Sequence, residues 1–248
     1  MRSSTEPRTA LVTGAAGVLG LAITKALLAR GIKVVMIDID QARLDAQAAT
    51  LDGDCLTVAC NIADSADVER AFAEITKRVG DIDILVNNAG ILTNNKTAAT
   101  TADEWRKVMD VNVNGTFYVT KAVAPGMKKK GWGRIVNLSS LAAKTGGITA
   151  GTAYSTSKGA IISLTFSLAA ELASHGITVN AIAPAYIKTP MVTEQLTDAQ
   201  RAAVLAKIPV GRYCEPEECA HVVCFLVDEM SGFITGEIID QNGGLHFD

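Results

Sequence analysis

The sequence predicts an α/β fold in which a parallel β-sheet is covered by helices on both faces. Short apolar, β-branched runs alternate along the chain with longer segments of helical periodicity. The first run leads into a glycine-rich turn that opens a helical segment. Together these features are typical of a doubly wound sheet, which binds its ligand at the carboxyl ends of the strands. No repeat or linker interrupts the 248 residues, so we expect one domain over 1–248, with 1–8 as a flexible polar N-terminus.

The elements follow one another in simple order. Seven segments have the length and composition of strands: Thr9–Thr13, Lys33–Ile37, Leu56–Cys60, Ile84–Asn87, Arg134–Leu138, Thr178–Ala183 and Glu237–Asp240. Helical patterns lie near residues 18–30, 40–50, 64–79, 101–109, 112–130, 154–174, 194–207 and 215–229. The alternation predicts a sheet that is buried on both sides.

Composition and charge argue against several classes of protein. Hydrophobic residues make up 48% and charged residues 20% of the chain, which is a globular composition. The net charge of -3 and the pI near 5.7 disfavour a nucleic-acid partner. The five cysteines and three histidines lack metal-ligand spacing, so we expect reduced thiols and no metal. No apolar stretch reaches membrane-spanning length and no signal-peptide core is present, which predicts a cytoplasmic protein without a membrane partner.

The turn after the first strand, Thr13–Gly20, is a candidate dinucleotide site. Its glycines allow a tight turn and a close approach of the backbone to a pyrophosphate at the helix N-terminus. The alternative is a turn that only caps the helix. Asp38, eighteen residues past Gly20, ends the second strand, where a carboxylate can bind an adenosine ribose and repel a 2′-phosphate. The sequence therefore predicts NAD over NADP, although Asp38 and Asp40 could instead cap the next helix, a role we expect for Asp40.

Three further strand ends and turns carry polar or small residues. The fourth strand runs into Asn87–Gly90, where small residues would let a cofactor pass above the backbone, unless the turn has no function. Asn112 lies early in a helical pattern, where an Asn is unfavourable without a specific role for its amide. The fifth strand ends at Ser140, whose hydroxyl is expected to face the same crevice. Leu141–Ala153 and Pro184–Pro190 are predicted to form loops over a substrate.

Tyr154 and Lys158 are four residues apart in an apolar helical run and therefore share one face. A phenol with a pKa of about 10 needs roughly 4 kcal/mol to titrate near pH 7. An ammonium about 4 Å away at an intermediate dielectric supplies roughly that amount. We predict that Lys158 lowers the pKa of Tyr154 and makes it an acid/base; the alternative is a solvated pair.

Thr13–Gly20, Asn87–Gly90, Asn112, Ser140 and Tyr154 with Lys158 together resemble the short-chain dehydrogenase/reductase family, over about Thr9 to Phe247. The resemblance implies a Rossmann-type seven-stranded sheet ordered 3-2-1-4-5-6-7 and hydride transfer between a substrate carbon and a nicotinamide. It implies that Tyr154 is the general acid/base, that Ser140 binds the substrate oxygen, that Lys158 holds the nicotinamide ribose, and that Asn112 supports a proton-relaying water chain. It also implies a homo-oligomer, a tetramer or a dimer.

By the same resemblance the cofactor-binding residues are Gly14, Gly17, Val18, Leu19, Gly20, Asp38, Asn61, Ile62, Asn88, Ala89, Gly90, Tyr154, Lys158, Ile187 and Thr189. Three positions depart from the usual pattern. Val18 stands where a Gly is common, with Gly17 one residue earlier. Asn61 replaces a frequent Asp near the adenine amine, and its side-chain oxygen can still accept that hydrogen bond. Ala185 replaces the Gly of a Pro-Gly turn, so the backbone near Ile187 and its contacts to the carboxamide are less defined.

The substrate is the least constrained prediction. The segment from Met191 to Gly244 looks like that of 3-oxoacyl-carrier-protein reductases, and sugar and polyol dehydrogenases share it. Polar loop residues suit a small polar substrate unless they are only solvated: Lys144, Thr145, Thr149, Thr152 and Asn94–Lys96. We therefore expect NAD-dependent interconversion of a secondary alcohol and a ketone on a sugar-, polyol- or hydroxy-acid-like substrate. The alternatives are a 3-oxoacyl-carrier-protein reductase-like enzyme and, less expected, an inactive nucleotide-binding relative.

Overall fold

The computed structural model describes residues 7–189 and 197–247. Within them the chain builds a seven-stranded sheet in the order β3-β2-β1-β4-β5-β6-β7, and every neighbouring pair is parallel. The strands are β1 (Thr9–Thr13), β2 (Lys33–Asp38), β3 (Cys55–Ala59), β4 (Ile84–Asn87), β5 (Gly133–Leu138), β6 (Ile177–Pro184) and β7 (Ile238–Gln241). The order reverses between β1 and β4, so the two neighbouring crossovers leave to opposite sides. This confirms the predicted fold and strand order.

The predicted strand ends differ from the observed ones by one residue at most. The register of the sheet explains the differences. Asp38 pairs with Ala59, so β2 is one residue longer and β3 lies one residue earlier than predicted. Gln241 pairs with Pro184, which carries β7 one residue further along the chain.

The helices are α1 (Val18–Leu28), α2 (Gln41–Ala48), α3 (Ser65–Val79), α4 (Ala102–Met109), α5 (Gly115–Lys130), α6 (Ala142–Thr145), α7 (Thr152–Leu172), α8 (Asp198–Leu205) and α9 (Pro216–Leu226). The helical pattern predicted near 112–130 begins in a π-helical segment, Asp110–Asn114, which joins α4 to α5. The short α6 has no predicted counterpart. The helix predicted near 194–207 is α8, and the beginning of the predicted segment lies outside the described residues.

Two apolar cores lie on the two faces of the sheet, because alternate strand residues point to opposite sides. Leu11 and Val35 face one core, to which α3, α5 and α7 contribute. Val12 and Met36 face the other, to which α1, α2 and α9 contribute. The central strands are therefore apolar along their length rather than alternating, as expected for a parallel sheet covered on both faces.

A chain of polar side chains crosses the first of these cores. Asn87 on β4 and Asn137 on β5 are register partners. The Asn87 amide donates to Asn137 Oδ1 (2.8 Å) and to Thr120 Oγ1 (3.1 Å), and the Asn137 amide donates to Thr165 Oγ1 (2.9 Å). The side chains of all four residues are buried. The network joins the two central strands to α5 and α7.

Most of the predicted flexible N-terminus, residues 1–6, lies outside the described residues. Arg8, however, is held in place: its guanidinium lies 3.7 Å from the centroid of the Trp132 ring and pairs with Glu229. Over residues 7–189 and 197–247, no helix is both long and apolar enough to cross a bilayer. In the same part of the chain, no cluster of three His, Cys, Asp or Glu side chains could hold a metal ion.

Candidate active site

The turn after β1 and the first turn of α1 can be built only with glycine at one position each. Gly14 has a φ of +65°, and a Cβ there would lie 2.8 Å from Ala89 Cα. A Cβ on Gly20 would lie 2.3 Å from the Gly14 carbonyl oxygen. The turn is therefore packed tightly against the end of β4, and its outer side is left open to the cleft above the sheet.

The N-terminus of α1 points at this cleft. The helix begins at Val18, its N-cap is Gly17, and its first turn has no acidic side chain. The first N–H groups of a helix have no partner within the helix, and with the helix dipole they favour an anion. Gly14, Gly17, Val18, Leu19 and Gly20 all line the cleft, so the structure brings these five predicted residues together. This geometry fits the diphosphate of a dinucleotide.

Asp38 lies at the same edge, at the carboxyl end of β2. Its Oδ2 accepts a hydrogen bond from the Ala16 amide (3.2 Å) and its Oδ1 accepts one from the Ile39 amide (2.8 Å). Asp40, not Asp38, caps α2 by accepting a bond from the Arg43 amide (3.1 Å). Asp38 lines the cleft and is placed where a ribose could meet it.

The end of β4 is clasped to the end of β1. Thr13 Oγ1 accepts hydrogen bonds from the backbone amides of Asn88 (3.1 Å) and Ala89 (3.0 Å). The Asn88 side chain donates to the Thr13 carbonyl (2.9 Å) and the Gly14 carbonyl (3.2 Å). Asn88, Ala89 and Gly90 line the cleft beside the glycine turn. The small residues after β4 thus form part of the floor of the cleft, not an isolated turn.

Asn112 lies in the π-helical segment, and this explains an Asn in a helical pattern. Its Oδ1 accepts from the Ile91 amide (2.8 Å), and its Nδ2 donates to the Ile91 carbonyl (3.0 Å) and to Ser157 Oγ (2.9 Å). Only 1% of Asn112 is exposed. Its carboxamide and the Lys158 ammonium both lie close to Gly90, where an added Cβ would be 3.3 Å from Oδ1 and 3.4 Å from Nζ.

Ser140, Tyr154 and Lys158 converge at the floor of the cleft. Ser140 follows β5, and its hydroxyl lies close enough to the phenol of Tyr154 to lower the pKa of that phenol. Lys158 is buried, donates from Nζ to the Leu138 carbonyl (2.7 Å), and has Nζ 5.7 Å from the centroid of the Tyr154 ring. Tyr154 and Lys158 share one face of α7, as their spacing predicts.

The pKa predicted for Tyr154 is wrong for the protein without a cofactor. Burial raises the pKa of the phenol, and the Ser140 hydroxyl lowers it only in part. Burial also lowers the pKa of Lys158 to about 8. The prediction counted the attraction of the ammonium but not the cost of removing both groups from water, which disfavours either charged form.

The cleft divides into two connected spaces. The larger, about 1260 Å³ with its open mouth, runs from Asp38 past the glycine turn to Lys158. The smaller, about 680 Å³ and likewise open to solvent, lies beyond Ser140 and Tyr154, which line both spaces. The acid/base candidates therefore stand at the junction of a long groove and a pocket.

The structure also adds residues to the large space: Arg43, Leu92, Leu138, Ser139, Pro184 and Ala185. Four of them immediately follow or end a strand, a position from which they could have been found in the sequence. Arg43 could not, because its guanidinium reaches the Ala16 carbonyl (3.2 Å) across 27 residues of sequence.

Ile187 and Thr189 line the large space, but Asn61 and Ile62, as described here, do not. The side-chain oxygen of Asn61 accepts from the Ala63 amide (3.2 Å), and Ile62 is buried against Gly115. Val18 and Ala185 keep their places beside the groove. Pro190, the last residue of the predicted Pro184–Pro190 loop, lies outside the described residues, and so do residues 191–196.

The polar residues expected around the substrate mostly form hydrogen bonds or ion pairs within the protein. Lys144 forms an ion pair with Asp240 (2.6 Å), and Lys96 donates to the carbonyls of Gly147 (2.7 Å) and Ala150 (2.6 Å). The Asn95 amide donates to Glu104 (2.6 Å), and Thr152 bonds to Thr97 (3.1 Å). Only Asn94, Thr145 and Thr149 of the predicted set line the smaller space, whose other walls include Leu92, Leu141, Ile148 and Ala150. This lining is more apolar than predicted.

Known proteins resemble the chain over nearly its whole length. The family model described as enoyl-(acyl carrier protein) reductase matches residues 14–246. The 3-oxoacyl-[acyl-carrier-protein] reductase FabG of Vibrio cholerae is 40% identical, with 97% of this chain and 98% of the relative covered. FabG of Escherichia coli is 38% identical over the same shares.

Two crystal structures have nearly the same fold as this chain. A Brucella melitensis protein described as short-chain dehydrogenase/reductase SDR, glucose/ribitol dehydrogenase, has a TM-score of 0.91 and 34% identity over the full length of both chains. The structure of gox2181 has a TM-score of 0.93 and 32% identity over 97% of this chain and 96% of that one.

Proposed function

This chain belongs to the short-chain dehydrogenase/reductase family, and from that premise we propose that it reduces the ketone of a 3-oxoacyl-like substrate to a secondary alcohol with NADH. The observation that carries the proposal is the convergence of Ser140, Tyr154 and Lys158 where the groove that fits a dinucleotide meets the smaller pocket. The bound nicotinamide supplies the hydride. The protein supplies the proton, the position of the carbonyl and the exclusion of water.

Each side chain of the site has a defined part in this scheme. The phenol of Tyr154 donates the proton to the carbonyl oxygen, and the Ser140 hydroxyl stabilises the charge that develops there. Lys158, buried beside them, would hold the ribose of a bound nicotinamide cofactor. Asn112 positions the Ile91 backbone and Ser157 around Lys158 and supports the path by which the proton is replaced.

Tyr154 can serve either direction of the reaction. Because burial raises the pKa of its phenol, the side chain is protonated at neutral pH and can act as an acid toward a ketone. The same groups catalyse oxidation of the alcohol in reverse, so the proposed direction rests on the names of the relatives.

A 3-oxoacyl-like substrate has more support than the sugar or polyol expected from the sequence. The relatives in question are named 3-oxoacyl-[acyl-carrier-protein] reductases. In addition, the ammonium groups of Lys144 and Lys96 are already bonded, to Asp240 and to two carbonyls of the pocket wall, and most of that wall is apolar. The polar groups that suggested a polyol are thus mostly not offered to a substrate.

The proposed activity is tested with acetoacetyl coenzyme A and NADH, following the loss of NADH absorbance, against a panel of sugars and polyols with NAD⁺. We expect faster turnover of the ketone. Tyr154→Phe should lose nearly all turnover while binding NADH with similar affinity, because the ring stays and only the proton donor is removed. Faster polyol oxidation, or full activity of Tyr154→Phe, would reject the proposal.

NADH is proposed over NADPH because of Asp38. A phosphate dianion about 5 Å from a carboxylate is disfavoured by roughly 2–7 kcal/mol for effective dielectric constants between about 80 and 20. Arg43 offsets part of this repulsion, so we expect at least about a tenfold preference for NADH. Asp38→Asn should reduce that preference, and Asp40→Asn, with the same loss of charge two residues away, should not. An unchanged ratio in Asp38→Asn would remove the basis for NADH.

We also propose that the enzyme is a homo-oligomer, a tetramer or a dimer. Large apolar side chains stay exposed in the single chain, among them Phe117 on α5 and Phe166 on α7, each about half exposed. Light scattering after size-exclusion chromatography tests this; a single-chain mass of 26.0 kDa at micromolar concentration would contradict it.

A further inference from the structure

Tyr186 stands between the substrate pocket and a second cavity. It follows β6, and its side chain lines the 680 Å³ pocket that also contains Ser140 and Tyr154. It also lines a neighbouring cavity of about 480 Å³, a volume that includes its open mouth. Ile148 and Thr149 line both spaces as well. These three residues are therefore the partition between the reaction centre and the second cavity.

The partition is fixed at its backbone and weakly closed at its tip. The Tyr186 carbonyl accepts from the Cys214 amide (3.0 Å), and the Lys188 amide donates to the Cys214 carbonyl (2.8 Å), which ties the segment to the start of α9. At the tip, the Tyr186 and Thr149 hydroxyls are 3.4 Å apart, at the long limit of a hydrogen bond. The backbone of the segment is therefore anchored, and the Tyr186 side chain stands between the two spaces.

The second cavity suits an apolar chain. Besides the shared residues, its walls include Val204 and Leu245, with Ala203 and Lys207 at the exposed rim. An acyl chain that passed Tyr186 would enter it and leave water. Each methylene buried in this way strengthens binding about fourfold.

We propose that Tyr186, closed by Thr149, is the chain-length stop of the substrate pocket, and that it restricts the enzyme to short 3-oxoacyl substrates. This inference rests on the proposed function. It names the substrate class more closely: the carbons beyond the ketone must end at the Tyr186 ring. Removing the ring would join the two cavities and let longer chains be buried.

The test compares kcat/KM for 3-oxoacyl coenzyme A thioesters of four, six, eight and ten carbons. The wild type should lose activity steeply with length. In Tyr186→Ala the ratio of ten-carbon to four-carbon kcat/KM should rise at least about tenfold, whatever the change in absolute rate. Tyr186→Val is a second variant with better packing and should raise the ratio in the same direction.

Two matched variants complete the design. Tyr186→Phe keeps the ring and loses the hydroxyl, so its length profile should stay near that of the wild type. Phe225→Ala removes a half-exposed aromatic ring from α9 and should leave the profile unchanged. A ratio that is unchanged in both Tyr186→Ala and Tyr186→Val, with measurable four-carbon turnover in the wild type, rejects the chain-length stop alone. Absence of wild-type turnover at every length rejects the proposed function and the inference with it.

Discussion

Replacing Asn112 with alanine should destabilise the protein far more than the same change two residues later. Asn112→Ala removes three hydrogen bonds from a side chain that is 1% exposed and leaves the Ile91 amide and carbonyl and one lone pair of Ser157 without their partner. Each polar group left unsatisfied costs about 1–3 kcal/mol, and water reaches the partly exposed Ile91, so we expect about 3 kcal/mol in total. For a chain of this size that lowers Tm by about 6–12 °C.

Asn114→Ala is the matched control. Asn114 lies in the same π-helical segment and makes one side-chain bond, from its amide to Asp110 (2.9 Å). Its removal should cost about 1 kcal/mol and lower Tm by about 2–4 °C. Tm is measured by thermal unfolding without cofactor and at one protein concentration, because ligands and association both raise it. Equal shifts in the two variants would refute the assigned role of the Asn112 contacts.

Three further outcomes follow from the described contacts. Gly20→Ala should lower Tm and weaken NADH binding, because the added Cβ would lie 2.3 Å from a backbone oxygen. Gly159→Ala is the control: an added Cβ there meets no described atom within 4 Å, so the change should raise stability by about 0.5–1 kcal/mol. Similar effects of the two changes on Tm would contradict the packing of the turn. Burial lowers the pKa of Lys158 to about 8, so above pH 8 the unfolded chain binds more protons at this side chain than the folded chain does. Between pH 8 and 10 the stability of the wild type should therefore rise relative to that of Lys158→Met, by on the order of 2 kcal/mol in denaturant titrations. A difference between the two proteins that does not change with pH would be inconsistent with that pKa. Iodoacetamide should modify Cys214 before the other cysteines, because a hydrogen bond with Cys219 lowers the pKa of this half-buried thiol. Peptide mass spectrometry measures the order of modification, and Cys219→Ala should slow the reaction at Cys214. Earlier modification of a buried thiol would count against this prediction.

The sheet could be predicted almost completely because its strands are short, apolar and separated by helical patterns. A strand buried on both faces is apolar whichever strands lie beside it, so β4 and β5 can be predicted from sequence without knowing their neighbours in the sheet. The short α6 was missed because four residues are too few to show a period. The sequence does not distinguish the π-helical segment from an α-helix, since one extra residue in a turn changes the spacing of apolar residues little.

The candidate site was predictable where residues lie at strand ends or share a helix face. Tyr154 and Lys158 meet because four residues make about one helical turn, and Gly14 and Asp38 meet because parallel strands end at one edge. Their chemical roles remain predictions. Contacts between distant segments could not be predicted, such as the ion pair of Lys144 with Asp240, 96 residues away. The pKa of Tyr154 also depends on burial by several elements, which no local pattern records.

The polar chain through Asn87 and Asn137 acts as a register lock for the middle of the sheet. A slip of one residue between β4 and β5 would send one amide to the opposite, apolar face, away from Thr120 and Thr165. Each amide left without a hydrogen-bond partner would then lower the free energy of unfolding by about 1–3 kcal/mol, whereas a slip between purely aliphatic strands would leave no polar side chain unpaired. Asn88 directly follows Asn87, and Ser140 lies three residues past Asn137. The buried hydrogen bonds between Asn87 and Asn137 therefore also fix how far Asn88 and Ser140 are displaced from each other along the strand direction.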